Sequence, residues 1–276
     1  MAAVPGEVDL VDWEFPGASA QGGAERVLVL IPKRRSASTK LPVLITHHGR
    51  GESRRGAEAG AYGWVRDYKL LDVLKALGRG ALTRDDFLGF VETSRLNRHN
   101  ESLAARPYGE MIIVCPHTPD ILDAPRTLER AEPYTDWLAS ELVPRIKEEC
   151  PLEPGALGID GVSLGGRMSM LAGLAHPELF RAVGTLQPAF QVTEAKAVTA
   201  RAKVFHSSNT NAKIRLLSST KDYFLDAVAA LHEQFNAAQI PHEHLVVPGP
   251  HDYEFNRGPG AIEMLMWHDR VLRSIT

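Results

Sequence analysis

The sequence predicts one α/β domain built on a mostly parallel, doubly wound sheet. Three observations lead there. Strand-like apolar runs alternate with helix-like amphipathic runs along the chain. A glycine-rich turn, Gly161–Gly166, joins one such run to the next helical stripe. Finally, 276 residues suffice for a single large core, with roughly three quarters of the unfolded-chain surface buried at this size. No internal repeat with a period of about 20–50 residues is present.

Taken in order, Val27–Ile31 and Val43–Thr46 read as strands, the second running into the His-Gly stretch His47–Gly51. Met111–Cys115 is a third run, closed by Pro116. From Pro133, the positions Tyr134, Trp137, Leu138, Leu142 and Ile146 follow helical spacing, and Pro133 suits a first helical turn. Pro144 should kink that helix, because it lacks a backbone donor. Leu157–Val162 is a strand followed by the stripe Leu164, Met168, Leu171, Ala172 and Ala175. Ala182–Leu186, Ile214–Ser218 and His244–Val247 are further strands. A helix with the stripe Phe224, Val228, Leu231, Phe235 and Ala238 follows the second of these, and a closing helix starts near Gly260.

One stretch breaks the rhythm. Over sixty residues separate Thr46 from Met111, where α/β connections ordinarily take roughly 2–6 residues per loop. Residues 52–108 are therefore an insertion within the single domain 1–276, with some helix of its own. Its place after a strand C-terminus puts it over the ligand end of such a sheet, as a lid or substrate-shaping cap. The irregular stretch Val192–Lys213 is expected at the same rim.

Lys plus Arg against Asp plus Glu gives 31 − 34 = −3, which offers no long-range pull toward nucleic acid or an anionic membrane. No apolar run approaches the ~20 residues needed to span a bilayer, and Met1–Leu10 lacks a basic start and an apolar core. The two cysteines, Cys115 and Cys150, lie in no metal-like or redox spacing and read as reduced thiols of a cytoplasmic protein. His242 and His244 share one strand face but lack a third ligand at useful spacing, so no metal is expected. No dinucleotide or P-loop signature occurs, and no cofactor is expected.

The chemistry concentrates at Gly161-Val162-Ser163-Leu164-Gly165-Gly166, a G-x-S-x-G pattern between a strand and a helix. A serine on so tight a turn takes strained backbone angles, and flanking glycines relieve the crowding. The turn lifts the hydroxyl to the sheet edge and aims a helix N-terminus at any anion formed there. Ser163 is the candidate nucleophile. A serine needs a base, and the base an orienting acid, in the chain order Ser, acid, His. His176, His232 and His268 fall in helical runs, whereas His251 follows Pro248-Gly249-Pro250 just past the last strand. Asp222 ends Ser218-Ser219-Thr220-Lys221-Asp222, just past the strand before it, and also suits a helix N-cap. His251 is the candidate base and Asp222 the candidate acid.

With these residues in place, the chain resembles the α/β-hydrolase superfamily, in particular the putative-esterase (esterase-D-like) family that includes feruloyl and siderophore esterases and mycolyltransferases. The similarity rests on His47-His48-Gly49-Arg50-Gly51, the elbow Gly161–Gly166, the small-residue strand end before Asp222, and Gly249-Pro250-His251-Asp252-Tyr253. It spans about Val27 to Leu272. Family members often carry Gly-His-aromatic at the base, where this chain has Pro250 before His251. The resemblance implies an oxyanion hole made of the backbone N–H groups of Arg50 and Leu164, with His47 and His48 as loop-packing residues. Arg50, Arg54, Arg55 and Arg66 crowd the start of the insertion, in part opposite Glu52, Glu58 and Asp67. Arg54 and Trp64 are the side chains placed at the substrate.

The expected function is hydrolysis of a small-molecule carboxylic ester through an acyl-enzyme on Ser163. Two other readings use the same residues or the same scaffold. An acyltransferase or cyclase would replace water by an alcohol or amine, and a non-catalytic binding module would keep only the fold.

Overall fold

The computed structural model describes residues 7–33, 39–123 and 125–274, so part of the Met1–Leu10 stretch lies outside the described residues. Eight strands among these form one sheet: β1 (Val8–Glu14), β2 (Arg26–Pro32), β3 (Leu41–His47), β4 (Ile112–Pro116), β5 (Leu152–Gly161), β6 (Ala182–Leu186), β7 (Lys213–Lys221) and β8 (Glu243–Pro250). Their spatial order is β1-β2-β4-β3-β5-β6-β7-β8. The pairs β1–β2 and β2–β4 are antiparallel, and every pair from β4 to β8 is parallel. All seven strands read from the sequence are present. β1 escaped that reading because Asp9, Asp12 and Glu14 break its apolar pattern. It is an edge strand of which only Trp13 is buried.

Strand side chains alternate between two cores, as a period of two requires. On one face Val27, Val29, Val43, Ile45, Ile159 and Leu216 meet α6 (Glu132–Trp137), α7 (Val143–Glu149), α8 (Leu164–Ala175), α9 (Ala195–Ser208) and α10 (Leu225–Ala237). On the other, Leu28, Leu30, Leu44, Ile113 and Leu217 meet the closing helix α12 (Ala261–Leu272), which follows the one-turn α11 (Tyr253–Phe255). That second core is completed by the insertion. Its helices are α1 (Arg50–Ser53), α2 (Ala57–Ala61), α3 (Gly63–Arg66), α4 (Leu70–Gly78) and α5 (Thr93–Ala105). Leu70, Val73, Leu74 and Leu77 of α4 and Leu103 of α5 lie in one apolar cluster with Ile262 and Leu265 of α12.

Two local features follow from sequence chemistry. Between α6 and α7, the turn Leu138–Leu142 is a π-helix. Pro144 offers no N–H to the preceding turn, and the widened turn is how the expected kink is accommodated. Val192–Lys213 is not the irregular rim expected. Its centre is α9, whose stripe Ala195, Val198, Ala202 and Phe205 is buried in the first core. A stripe with two alanines gives a weak amphipathic signal, which is why sequence reading passed over it. Cys115 and Cys150 are unbonded and buried, and burial pushes the Cys115 thiol up. No helix among the described residues is long and apolar enough to cross a membrane.

Candidate active site

The elbow joins β5 to α8. Ser163 has φ 57 and ψ −114, a conformation that costs a non-glycine residue on the order of 1–3 kcal/mol. The surrounding packing holds it there. A Cβ on Gly165 would sit 2.4 Å from the His47 carbonyl oxygen and 2.5 Å from that of His48, so only glycine admits the close approach of β3 to the turn. The Ser163 N–H donates to the Leu186 carbonyl of β6 at 2.9 Å, and Ala189 N–H donates to the Ser163 carbonyl at 2.9 Å.

Three sequence-predicted residues from three strand ends meet at this turn. His251 Nε2 lies 3.1 Å from Ser163 Oγ, and its Nδ1 lies 2.6 Å from Asp222 Oδ1. Asp222 follows β7, and its side chain has no exposed surface. Its Oδ2 accepts from Ser218 Oγ at 2.6 Å, and its Oδ1 accepts from the Phe224 N–H at 2.9 Å. The N-cap-like bond and the contact to histidine thus coexist on one carboxylate. The ring of Phe224 meets His251 edge-on at 5.4 Å, and the exposed Tyr223 ring lies over it at 5.0 Å.

The loop after β3 is pinned on both sides of Gly49. Tyr68 Oη accepts the Gly49 N–H at 2.9 Å. His48 Nδ1–H donates to the Gly49 carbonyl at 2.8 Å, and His48 Nε2 accepts from the Thr118 N–H at 2.9 Å. Because a peptide unit is planar and trans, fixing the Gly49 C=O also fixes the direction of the Arg50 N–H. Arg50 opens α1 and Leu164 opens α8, the helix positions whose backbone N–H groups lack intrahelical partners. His47 is fully buried, 2.8 Å from Ser169 Oγ and 2.9 Å from Tyr134 Oη. Burial pushes both His47 and His48 down to about 3, so both rings are neutral.

A further carboxylate ties this loop to the histidine loop. Glu52 is 1% exposed and accepts from the Tyr68 hydroxyl on Oε2. Its Oε1 accepts from Tyr253 Oη at 2.7 Å and from Arg55 Nη2 at 3.1 Å. Tyr253 lies two residues after His251. From below, the buried Gln187 donates through Nε2 to Ser219 Oγ at 2.6 Å and to the Pro250 carbonyl at 2.8 Å. Tyr68 and Gln187 carried no signal in the sequence, whereas Glu52 stood out only as a partner of the arginines, and Tyr253 and Ser218 only as parts of the stretches around His251 and Asp222.

The arginine cluster is paired within the protein. Arg50 Nε donates to Asp120 at 2.8 Å, and Arg54 Nε donates to the same carboxylate at 3.0 Å. Asp123 takes a second contact from each. Arg55 contacts Glu52 and Asp67, and Arg66 contacts Glu58. Arg54 is exposed, whereas Trp64 has no exposed surface. Trp64 packs edge-on against Tyr68 at 4.9 Å, which corrects the expectation that it faces a substrate. An amphipathic stretch contains core and rim aromatics alike, and the sequence does not separate them. The three helical histidines also lie apart from Ser163. His232 is hydrogen-bonded to His242 at 2.8 Å and stacked on His244, and His268 is buried against Asp160.

A family profile described as "putative esterase" matches residues 122–257. No curated protein matches the sequence. Among solved structures, a ferulic acid esterase superposes with a TM-score of 0.66 at 18% identity, over 96% of this chain and 99% of its own. S-formylglutathione hydrolase from Staphylococcus aureus gives 0.64 at 11% identity, over 95% and 99%. The enterobactin esterase of Shigella flexneri gives 0.61 at 16% identity, over 99% of this chain and 63% of its own. The fold is that of an α/β-hydrolase. More narrowly, residues 122–257, just under half of the chain, match the putative-esterase profile, which marks the chain as a hydrolase.

Proposed function

We propose that the protein is a serine esterase that cleaves a small carboxylic ester through an acyl-enzyme on Ser163. The observation that carries this reading is the unbroken hydrogen-bonded line Asp222–His251–Ser163, ending at a serine held in a strained turn. Ser163 Oγ attacks the acyl carbon while His251 Nε2 takes its proton. Asp222, oriented by Ser218 and the Phe224 N–H, keeps the His251 Nδ1 proton in place and stabilises the imidazolium. The carbonyl oxygen gains negative charge between the Leu164 and Arg50 N–H groups, where one preorganised donor is typically worth ~10²–10³ in rate. Collapse of the tetrahedral intermediate breaks the ester C–O bond, and His251 returns the proton to the leaving alcohol. Water then attacks the acyl-enzyme by the same steps in reverse, releasing the acid and restoring Ser163.

In this reading Glu52 and Tyr68 position the Arg50 N–H, and Gln187 positions His251 through the Pro250 carbonyl. The segment 52–108 acts as a fixed rim rather than a hinged flap, since its apolar side chains fill the sheet's second core. The test is intact mass spectrometry after treatment with a fluorophosphonate, wild type beside Ser163→Ala. A single adduct on wild type and none on the variant is expected, together with loss of p-nitrophenyl ester turnover in the variant. Turnover that persists in Ser163→Ala would falsify the triad. Repeating the ester assay with added alcohols tells whether water or an alcohol is the preferred acyl acceptor.

A further inference from the structure

A second cavity, of about 560 Å³, opens at the other end of the sheet, near the N-terminal ends of β7 and β8. Its walls are α5 of the insertion and α12. Five cationic side chains line it (Arg95, Arg98, Lys213, Arg215 and Arg270), against the carboxylates of Glu243 and Glu263. Of the two, only Glu263 is ion-paired among the described residues, and Glu243 keeps its charge with a neutral donor. Glu263 takes Arg95 and His99, and Glu243 accepts from Trp267 Nε1 at 2.8 Å. Arg270 is engaged with Asp269, Ser102 and the Arg106 carbonyl. Arg98 and Lys213 have no ionic partner among the described residues.

The floor is the unusual part. Arg215 is 1% exposed, and a Cβ on the intervening Gly184 would lie 2.0 Å from Asp160 Oδ2, so the missing side chain lets Arg215 reach toward Asp160 across β6. That contact is long, 3.5 Å from Nη2, and the same Asp160 oxygen also accepts from His268 Nε2 at 3.0 Å. Arg215 Nη1 donates to the Glu263 carbonyl at 2.9 Å, while Nε has no acceptor. His244 Nε2, in the same lining, is also buried without a partner. Burial pulls the Arg215 guanidinium below its ordinary range against the opposing pull of Asp160, Glu263 and Glu243, and the guanidinium lies over the Trp267 ring at 4.6 Å.

We propose that this cavity is a binding site for a small oxyanion, a carboxylate or phosphate group, distinct from the Ser163 site. An anion seated there completes the coordination of the floor guanidinium and is held at the rim by Arg98 and Lys213. Charge-assisted contacts in a recess where water is partly excluded are the chemistry that recognises such a group. The proposal does not rest on the esterase reading.

The test is calorimetric titration of the full chain with inorganic phosphate at low ionic strength, with acetate as competitor. Saturable binding is expected, weakened by about tenfold or more in Arg98→Ala/Lys213→Ala, which removes two exposed cations without touching the core. Displacement of phosphate by acetate assigns the site to carboxylates as well, and failure to displace restricts it to phosphates. Replacing Arg215 can unfold the chain, so the rim variant carries the decision. An unsaturable response, or equal affinity in wild type and rim variant, overturns the proposal.

Discussion

Among the described residues the sheet carries two hydrogen-bonded Asp–His pairs, and they differ in almost everything but that bond. Asp222 and His251 come from loops beyond the C-terminal ends of β7 and β8, and the far nitrogen of the histidine faces Ser163. Asp160 and His268 come from β5 and α12, are both fully buried, and meet Arg215 and the Gly161 N–H. Burial lowers the His268 ring, so it is a neutral donor to Asp160. An aspartate beside a histidine is therefore not by itself a proton relay. What separates the pairs is the second imidazole nitrogen. In the outer pair it reaches a hydroxyl at a strained turn, and in the inner pair the corresponding Nδ1 is buried with no partner.

That contrast breaks most sharply at Asp222. Asp222→Asn should lower kcat by ~10⁴ with little change in the urea midpoint, because the amide favours the wrong tautomer of His251. The inner pair should behave in the opposite way. His268→Leu is expected to cost about 2–3 kcal/mol in urea unfolding, from loss of a hydrogen bond to the buried Asp160 carboxylate, with kcat per folded molecule within about twofold of wild type. A large kcat loss in His268→Leu would abolish the distinction.

Between these extremes lies Glu52, buried like Asp160 but tied to both loops of the candidate site, those after β3 and β8. Glu52→Gln should lower kcat by roughly 10–100-fold while KM stays near its wild-type value, as expected for an interaction made in the transition state. Combining it with Tyr253→Phe should add little further loss, since both changes remove the same link. Full additivity in that double-mutant cycle would show the two acting independently.

A further test of the buried loop is a pH slope. His47 and His48 have folded values of about 3 against an ordinary value near 6.5. Below pH ~6.5 the unfolded chain binds protons that the folded chain refuses. Stability is therefore fully present above that pH and falls as pH drops from ~6.5 toward ~3, by up to about 1.4 kcal/mol per pH unit for each ring. Urea midpoints measured from pH 7 to pH 4 should show this decline, and His47→Gln should flatten it. A midpoint that holds constant to pH 4 contradicts burial of the two neutral rings.

Much of this was readable in the sequence, for identifiable reasons. Ser163 sits in a local pattern with a local cause, the tight turn, and Asp222 and His251 follow strand ends that the apolar runs already mark. The supports of the site were not readable. Tyr68 and Glu52 lie 16 residues apart in a segment with no regular rhythm, and Gln187 meets Pro250 across 63 positions. Asp120 and Asp123, which neutralise Arg50 and Arg54, come from beyond β4 and carry no spacing that relates them to the cluster. Trp64 shows the converse failure, a residue rightly noticed and wrongly placed, because periodicity alone does not tell which side of a short helix faces the core.

The shared apolar core of the insertion and α12 bears on how this scaffold could be re-engineered. A designer wanting a smaller catalyst would look first at residues 52–108, since they interrupt the strand–helix alternation. Excising them would strip Leu74, Leu77, Phe87 and Leu103 from the sheet and leave Leu28, Leu44 and Ile113 open to water. The truncated chain would then present a sticky surface and aggregate rather than become a leaner enzyme. Variation in this segment is tolerable on its outer, solvent-facing side chains, and libraries aimed at new substrates are best confined there.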